Sequence, residues 1–283
     1  GKDALAANIA AQITAVGSGA LAALDNALAV GNAALGYNAL AVANSATAIG
    51  NTAVGHSALA AATTAASNTA VGYQAAAATT TGAQNTAVGR GALNASATAG
   101  DDNNTAIGFN ALLLADGGAS NTAVGSTAGN ALTTGDNNTA LGFNALGAAQ
   151  TVADNVAIGK DALALNTAAQ VTAVGSGALA ANTSGTANTA VGFEALALSQ
   201  TAANNTAIGH QAGDALITGN NTAVGAAALG TTAGADCTAV GYQALTANTA
   251  VAGTAVGSGA LKTNTSGTAN TAVGFEALAL SQT

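Results

Sequence analysis

One glycine recurs at a nearly fixed interval along the whole chain: Gly1, Gly17, Gly36, Gly55, Gly72, Gly89, Gly108, Gly125, Gly142, Gly159, Gly175, Gly192, Gly209, Gly225, Gly241, Gly257 and Gly274. The intervals are 16 or 17 residues, with three of 19, so the 283 residues divide into 17 units. Each position around that glycine obeys its own rule. The residue before it is Val, Ile or Leu, and the one before that is Ala. Thr usually stands three before and Asn four before, as in Asn68-Thr69-Ala70-Val71-Gly72. Ala always stands three after it, and Leu usually four after, as in Leu40, Leu59 and Leu93. The remainder is a loop of variable length rich in Thr, Ser, Asn and Gly. Gly31 and Gly50 offer competing registers between Gly17 and Gly55. A longer duplication lies on top, since Asn182–Thr201 and Asn264–Thr283 are identical over 20 residues.

A period this short excludes helical solenoids, which need 30 or so residues for two helices per repeat. It fits a parallel β-solenoid of about 17 coils, 16–19 residues each, running as one continuous array over residues 1–283. Thr-Ala-Val reads as one short strand, the glycine as a turn, and x-x-Ala-Leu as a second strand. At the ~4.8 Å spacing of neighbouring strands, such a stack would be roughly 80 Å long. Side chains alternate across a strand. Hydrophobicity therefore predicts Val facing inward with Thr beside it, and Ala on the outer face against a partner. A coil that buries one Val and one Leu gains little against the entropy of ordering its backbone. Association with copies of the same chain is the expected remedy.

Composition narrows the function classes. Charged residues are 6%, against about 25% in an ordinary domain. A net charge of -8 with four basic residues leaves nothing to neutralise a run of phosphates, so no nucleic-acid partner is expected. No uninterrupted apolar run is long enough to span a bilayer, so no membrane insertion is expected of this segment. The one cysteine, Cys237, reads as a small buried side chain. No Ser, His and Asp arrangement recurs, and the acids follow no calcium-binding period. No enzyme, catalytic residue, cofactor or metal site is expected. His56 and His210 lie nine coils apart, roughly 43 Å by strand spacing, and cannot share a metal within one chain. Asn-x-Ser/Thr triplets at Asn94, Asn103, Asn137, Asn182, Asn204, Asn220 and Asn264 read as products of an Asn- and Thr-rich loop.

The position just after the glycine is the informative one. It holds every aromatic residue of the chain, both histidines and most of the cations: Tyr37, His56, Tyr73, Arg90, Phe109, Phe143, Lys160, Phe193, His210, Tyr242 and Phe275, with Lys2 at the start. The invariant columns build the solenoid and this one varies. It is the candidate surface-contact column, unless its side chains are buried as packing.

Asn-Thr-Ala-Val/Ile-Gly, as in Asn104–Gly108 and Asn205–Gly209, resembles the repeat of the YadA-like heads of trimeric autotransporter adhesins. Cys237–Leu245 is similar to repeats in phage tail-fibre-like proteins. The resemblance covers essentially the whole chain. It implies a left-handed parallel β-roll, trimerised side by side, at a cell or virion surface. The expectation is therefore a non-enzymatic extracellular fibre segment, adhesin-like, that contacts itself as a homotrimer and a surface glycan or protein receptor through the variable column. A phage tail-fibre shaft is the alternative. An ice-binding solenoid is a third class, disfavoured because the chain has one Thr rank, expected to face inward. The chain opens and closes inside the repeat, so it is expected to be a segment of a longer fibre.

Overall fold

The computed structural model describes residues 1–6, 10–24, 26–96, 102–230 and 234–281. Among these the fold is all-β, with no helix. It is a parallel β-solenoid that divides into two units. The first unit has eight three-residue strands: Thr14–Val16, Ala33–Leu35, Thr52–Val54, Thr69–Val71, Thr86–Val88, Thr105–Ile107, Thr122–Val124 and Thr139–Leu141. They pair in chain order and in register, Thr over Thr and Ala over Ala. The pairings Thr14 with Ala33 and Ala33 with Thr52 settle the ambiguous stretch in favour of Gly36 and Gly55. Gly31 and Gly50 instead occupy the left-handed position five residues before the next repeat glycine, where Ser67, Gln84 and Asn103 stand in later coils.

The second unit has strands Val156–Ile158, Thr172–Val174, Thr189–Val191, Thr206–Ile208, Thr222–Val224, Thr238–Val240, Thr254–Val256 and Thr271–Val273, paired in the same way. A second, three-stranded sheet of two-residue strands joins Ala247–Asn248, Thr263–Asn264 and Leu280–Ser281.

The second strand predicted over x-x-Ala-Leu does not form. That segment is a run of turns in which the residues two and four after the glycine are left-handed, for example Gln74 (φ 53°) and Ala76 (φ 49°), or Ser57 (φ 56°) and Leu59 (φ 50°). The short strands of the second sheet begin later. Left-handed backbone is costly for an L-residue. It is stabilised here by hydrogen bonds between coils: Leu59 N–H donates to Ala75 O, and Ser57 N–H to Tyr37 O. The repeat glycine is more than a turn residue. A Cβ on Gly72 (φ 139°) would collide with the backbone carbonyl of Gly89 in the next coil, so the column is a stack of backbone on backbone.

The predicted orientation of Thr-Ala-Val is reversed. The Ala column is fully buried, as at Ala53, Ala87 and Ala106, whereas Val16, Val71, Ile107 and Leu141 are exposed and Thr lies on the same outer face. The reason is width. At Gly129 a Cβ would touch the Cβ of Ala123 in the strand at 3.8 Å, so a branched side chain on the strand would run into the turn-side residue. The interior therefore takes Ala from the strand and usually one Leu per coil from the turn side, such as Leu40, Leu59, Leu93 and Leu146, with Ala76 in its place after Gly72.

Asn fills the corner. Asn51, Asn68, Asn104 and Asn121 are buried. Each side-chain oxygen accepts the backbone N–H of the next column member: Asn68 N–H to Asn51 Oδ1 at 3.0 Å, and Asn121 N–H to Asn104 Oδ1 at 2.9 Å. Each amide Nδ2 donates to a carbonyl of the following coil, as from Asn68 to Gly82 O at 2.8 Å. Most buried polar groups are partnered in this way, although Asn205 Nδ2 in the same column has no partner.

Two coils carry Gly in place of the interior Leu, at Gly129 and Gly213. Both supply a buried Leu three residues later, Leu132 and Leu216. A Cβ on Gly213 would lie 3.0 Å from Leu216 Cδ1, so the later leucine fills the space the earlier one vacates. Leu132→Ala should therefore destabilise the chain by about 2–5 kcal/mol, as cavity-forming substitutions do. Gly129→Leu combined with Leu132→Ala should recover most of that loss. Denaturant unfolding of the two variants checks it, and equal loss in both would show that the two positions do not share one space.

Candidate functional site

The strand delivers each Ala inward and the glycine turns the chain. The residue after the glycine then points outward, and stacking in register places its side chain over its counterpart in the next coil. The variable column is consequently a ladder. Tyr37 and His56 stack at 5.0 Å between ring centroids, and His56 and Tyr73 at 5.1 Å. Arg90 continues the series, its guanidinium 5.7 Å from the Tyr73 ring and 5.6 Å from the Phe109 ring. Five consecutive coils of the first unit thus present one stack of ring, ring, ring, cation and ring. Such contacts stabilise each side chain in one orientation by amounts of order 1 kcal/mol. In the second unit Phe193 and His210 stack at 5.4 Å and 11°.

These side chains are not packing inside the fold. Tyr37 is 53% exposed, Tyr73 45%, Phe109 45% and Phe143 53%. Phe193, Tyr242 and Phe275 are exposed as well. His56, Arg90, Lys160 and His210 are on the surface too. All eleven residues of the column are therefore at the surface. The stacking of a cation between two rings was not anticipated; its signal was Tyr73, Arg90 and Phe109 at the same column position in successive repeats.

Beside the ladder runs a second surface that sequence reasoning had placed indoors. The outer face of the strands carries a rank of Thr and a rank of Val, Ile or Leu, with Leu35, Val71, Ile107 and Leu141 exposed in the first unit and Val191, Ile208, Val240 and Val256 in the second. Large contiguous apolar surface of this kind marks an interaction face.

Charge is sparse. Lys160 Nζ pairs with Asp161 at 2.9 Å, and Gln211 donates to Glu194 Oε2 at 2.8 Å. Burial, with Glu194 nearby, raises the Asp214 carboxyl above its ordinary range. Cys237 occupies the Asn column and is buried and unpaired with another cysteine. Its backbone N–H still donates to Asn221 Oδ1 at 2.9 Å, and burial pushes its thiol up. Among the described residues no group of three or more His, Cys, Asp or Glu could hold a metal ion. The Asn-x-Ser/Thr triplets divide by column: Asn103, Asn137, Asn204 and Asn220 are exposed, whereas Asn182 and Asn264 are buried in a second polar column and inaccessible to modification in the folded chain.

No protein-family model, curated protein or solved structure matches the chain.

Two outcomes follow from the shifted groups. A carboxyl whose folded pKa is raised favours the folded state at low pH and loses that contribution as pH rises through the folded value. Asp214→Asn should therefore raise the melting temperature at pH 7 and leave it unchanged at pH 3, as scanning calorimetry would record. The Cys237 thiol should resist a thiol-specific chromogenic reagent at pH 8 in the folded chain and react fully in denaturant. Rapid reaction of the folded protein would contradict its burial.

Proposed function

We propose that this chain is a non-enzymatic segment of an extracellular fibre, adhesin-like, whose solenoid displays the variable ladder as a contact surface for a glycan or protein receptor. The observation that supports this best is the exposed stack Tyr37, His56, Tyr73, Arg90 and Phe109, held in one orientation by its own ring contacts. Rigid aromatic side chains give large contact area at small entropic cost on binding. In this reading the 17 repeats form a left-handed roll, and three copies lie side by side in parallel at a cell or virion surface. The apolar Val, Ile and Leu rank, now on the outside, is the face that would meet the neighbouring copies. This replaces the Ala face that sequence reasoning had put there.

Sedimentation equilibrium tests the assembly. The expected mass is three times the 26.1 kDa of one chain, and Val71→Asp with Ile107→Asp should reduce it to one. A wild-type chain that stays monomeric at micromolar concentration would remove the trimer. Adhesion of the purified segment to cell-surface or lipopolysaccharide-coated supports, weakened by Tyr73→Ala and Arg90→Ala, tests the contact role. A phage tail-fibre shaft would use the same geometry, and imaging the native particle separates the two.

The outward Thr rank favours a second reading, an ice-binding solenoid, because the inward orientation was one of the grounds for setting it aside. The Thr and Val ranks form a repetitive surface with no charged side chain. Thermal hysteresis in a freezing-point measurement is the test. Its absence at 0.1 mM or so of monomer would end this reading and leave the apolar face to self-association.

A further inference from the structure

The ladder has missing rungs. Where two neighbouring coils both carry large residues after the glycine, their side chains stack about one coil apart, as at Tyr37, His56 and Tyr73. The coil beginning at Gly125 carries Ser126 there instead, between Phe109 and Phe143. The two phenyl rings stand two coils apart, and strand spacing makes that roughly 9–10 Å. A ring occupies about 3.5 Å of that distance by its own thickness, so the space left is about one further ring deep. Phe109 already has one face against the Arg90 guanidinium, at 5.6 Å. The face toward Phe143 is the one that remains, and both phenyl groups are about half exposed. In the second unit an open cavity of about 650 Å³ is lined by Lys160, Ser176 and Phe193 of this column together with turn-side residues such as Leu165, Leu198 and Asp214, within the range that small-molecule sites occupy.

We propose that the gap over Ser126 is a binding slot for one neutral pyranose ring, lying flat between Phe109 and Phe143. This rests on the reading of the ladder as a contact surface and names the chemistry of its ligand. Three features select a sugar. The depth admits one ring and no more. The two walls are phenyl side chains, and both faces of a pyranose present C–H groups that pack on aromatic rings. Ser126 is the small rung between them, and Asn110, Thr127 and Asn144 form a neutral, polar adjoining column. An aromatic side chain from a protein partner would fit between the walls but would offer nothing to that polar rim. The two residues after the glycine are uncharged in all three coils, and the ladder's cation, Arg90, stands on the other side of Phe109.

Saturation-transfer NMR on the full chain tests this, with the methyl glycosides of glucose, galactose, mannose and N-acetylglucosamine as probes. At least one should receive saturation from the phenyl protons with millimolar affinity, and Ser126→Phe should abolish it. That variant inserts the rung that other coils already carry, so its melting temperature should be equal or higher. Ser126→Gly keeps the slot open and should retain binding within threefold. If Ser126→Phe fails to fold, Phe109→Leu with Phe143→Leu serves instead and should weaken binding at least tenfold. Failure of every glycoside to bind would overturn the proposal, as would equal binding by wild type and Ser126→Phe, or binding of N-acetyltyrosinamide in preference to all four sugars. Adhesion of the segment that persists in Ser126→Phe would sink the slot while leaving the ladder as a contact surface intact.

Discussion

The interior of most coils holds one strand alanine and one leucine, and the rest of the structure depends on that narrowness. A Cβ at the turn-side position 129 would already touch the strand alanine Ala123 at 3.8 Å. No branched side chain on the strand can enter such a space. The strand must therefore give its smallest residue to the inside, and its Thr and Val go outside however apolar Val is. Burial of Val is worth about 2 kcal/mol, but it would force apart two walls whose backbones are joined by hydrogen bonds coil after coil. The geometry of the backbone decides the matter, and the hydrophobic preference of one side chain is overruled.

A core this thin has few ways to fix register. Side-chain packing among alanines is nearly featureless, and one Ala slides past another at little cost. The buried amides supply the missing specificity. Asn51 Oδ1 accepts the backbone N–H of Asn68, and Asn68 Oδ1 that of Asn85. A shift of one residue would leave these amides unpartnered in a dry interior, at about 1–3 kcal/mol each. The column tolerates an interruption where the chain supplies a substitute for only part of the task. Cys237 donates its backbone N–H to Asn221 Oδ1 but is followed by Gly253, which has no side chain to continue the series.

Much of this was legible in the sequence. The invariant glycine, the Thr-Ala-Val strand, the parallel in-register stacking, the Asn corner and the ladder of Tyr37, His56, Tyr73 and Arg90 all follow from column rules, because each column meets only itself in the next coil. Two things were not legible, for separate reasons. Alternation along Thr-Ala-Val defines two faces but does not say which is inside; polarity suggested Val, and only the width of the coil, a property of all its residues together, says Ala. The second strand failed because the φ of Ser57 and Leu59 is positive. Nothing in a Ser or a Leu announces left-handed backbone, and the inter-coil hydrogen bonds that stabilise it exist only once the stack has formed.

The same logic explains where such a chain can carry recognition. A change at the repeat glycine meets the carbonyl of the next coil. A change at the buried Ala or Leu meets the opposite wall, and a change at Asn breaks bonds to two neighbouring coils. The position after the glycine also points outward, and it meets only its own counterparts above and below. Those neighbours tolerate a phenol, an imidazole, a guanidinium or a hydroxymethyl group, as Tyr73, His56, Arg90 and Ser126 demonstrate. Diversity there costs the fold little, yet stacking still holds each side chain in place. Variation and order therefore coincide in one column, and a protein drawing about two thirds of its residues from Ala, Gly, Thr and Asn can still present a surface with sequence-specific relief.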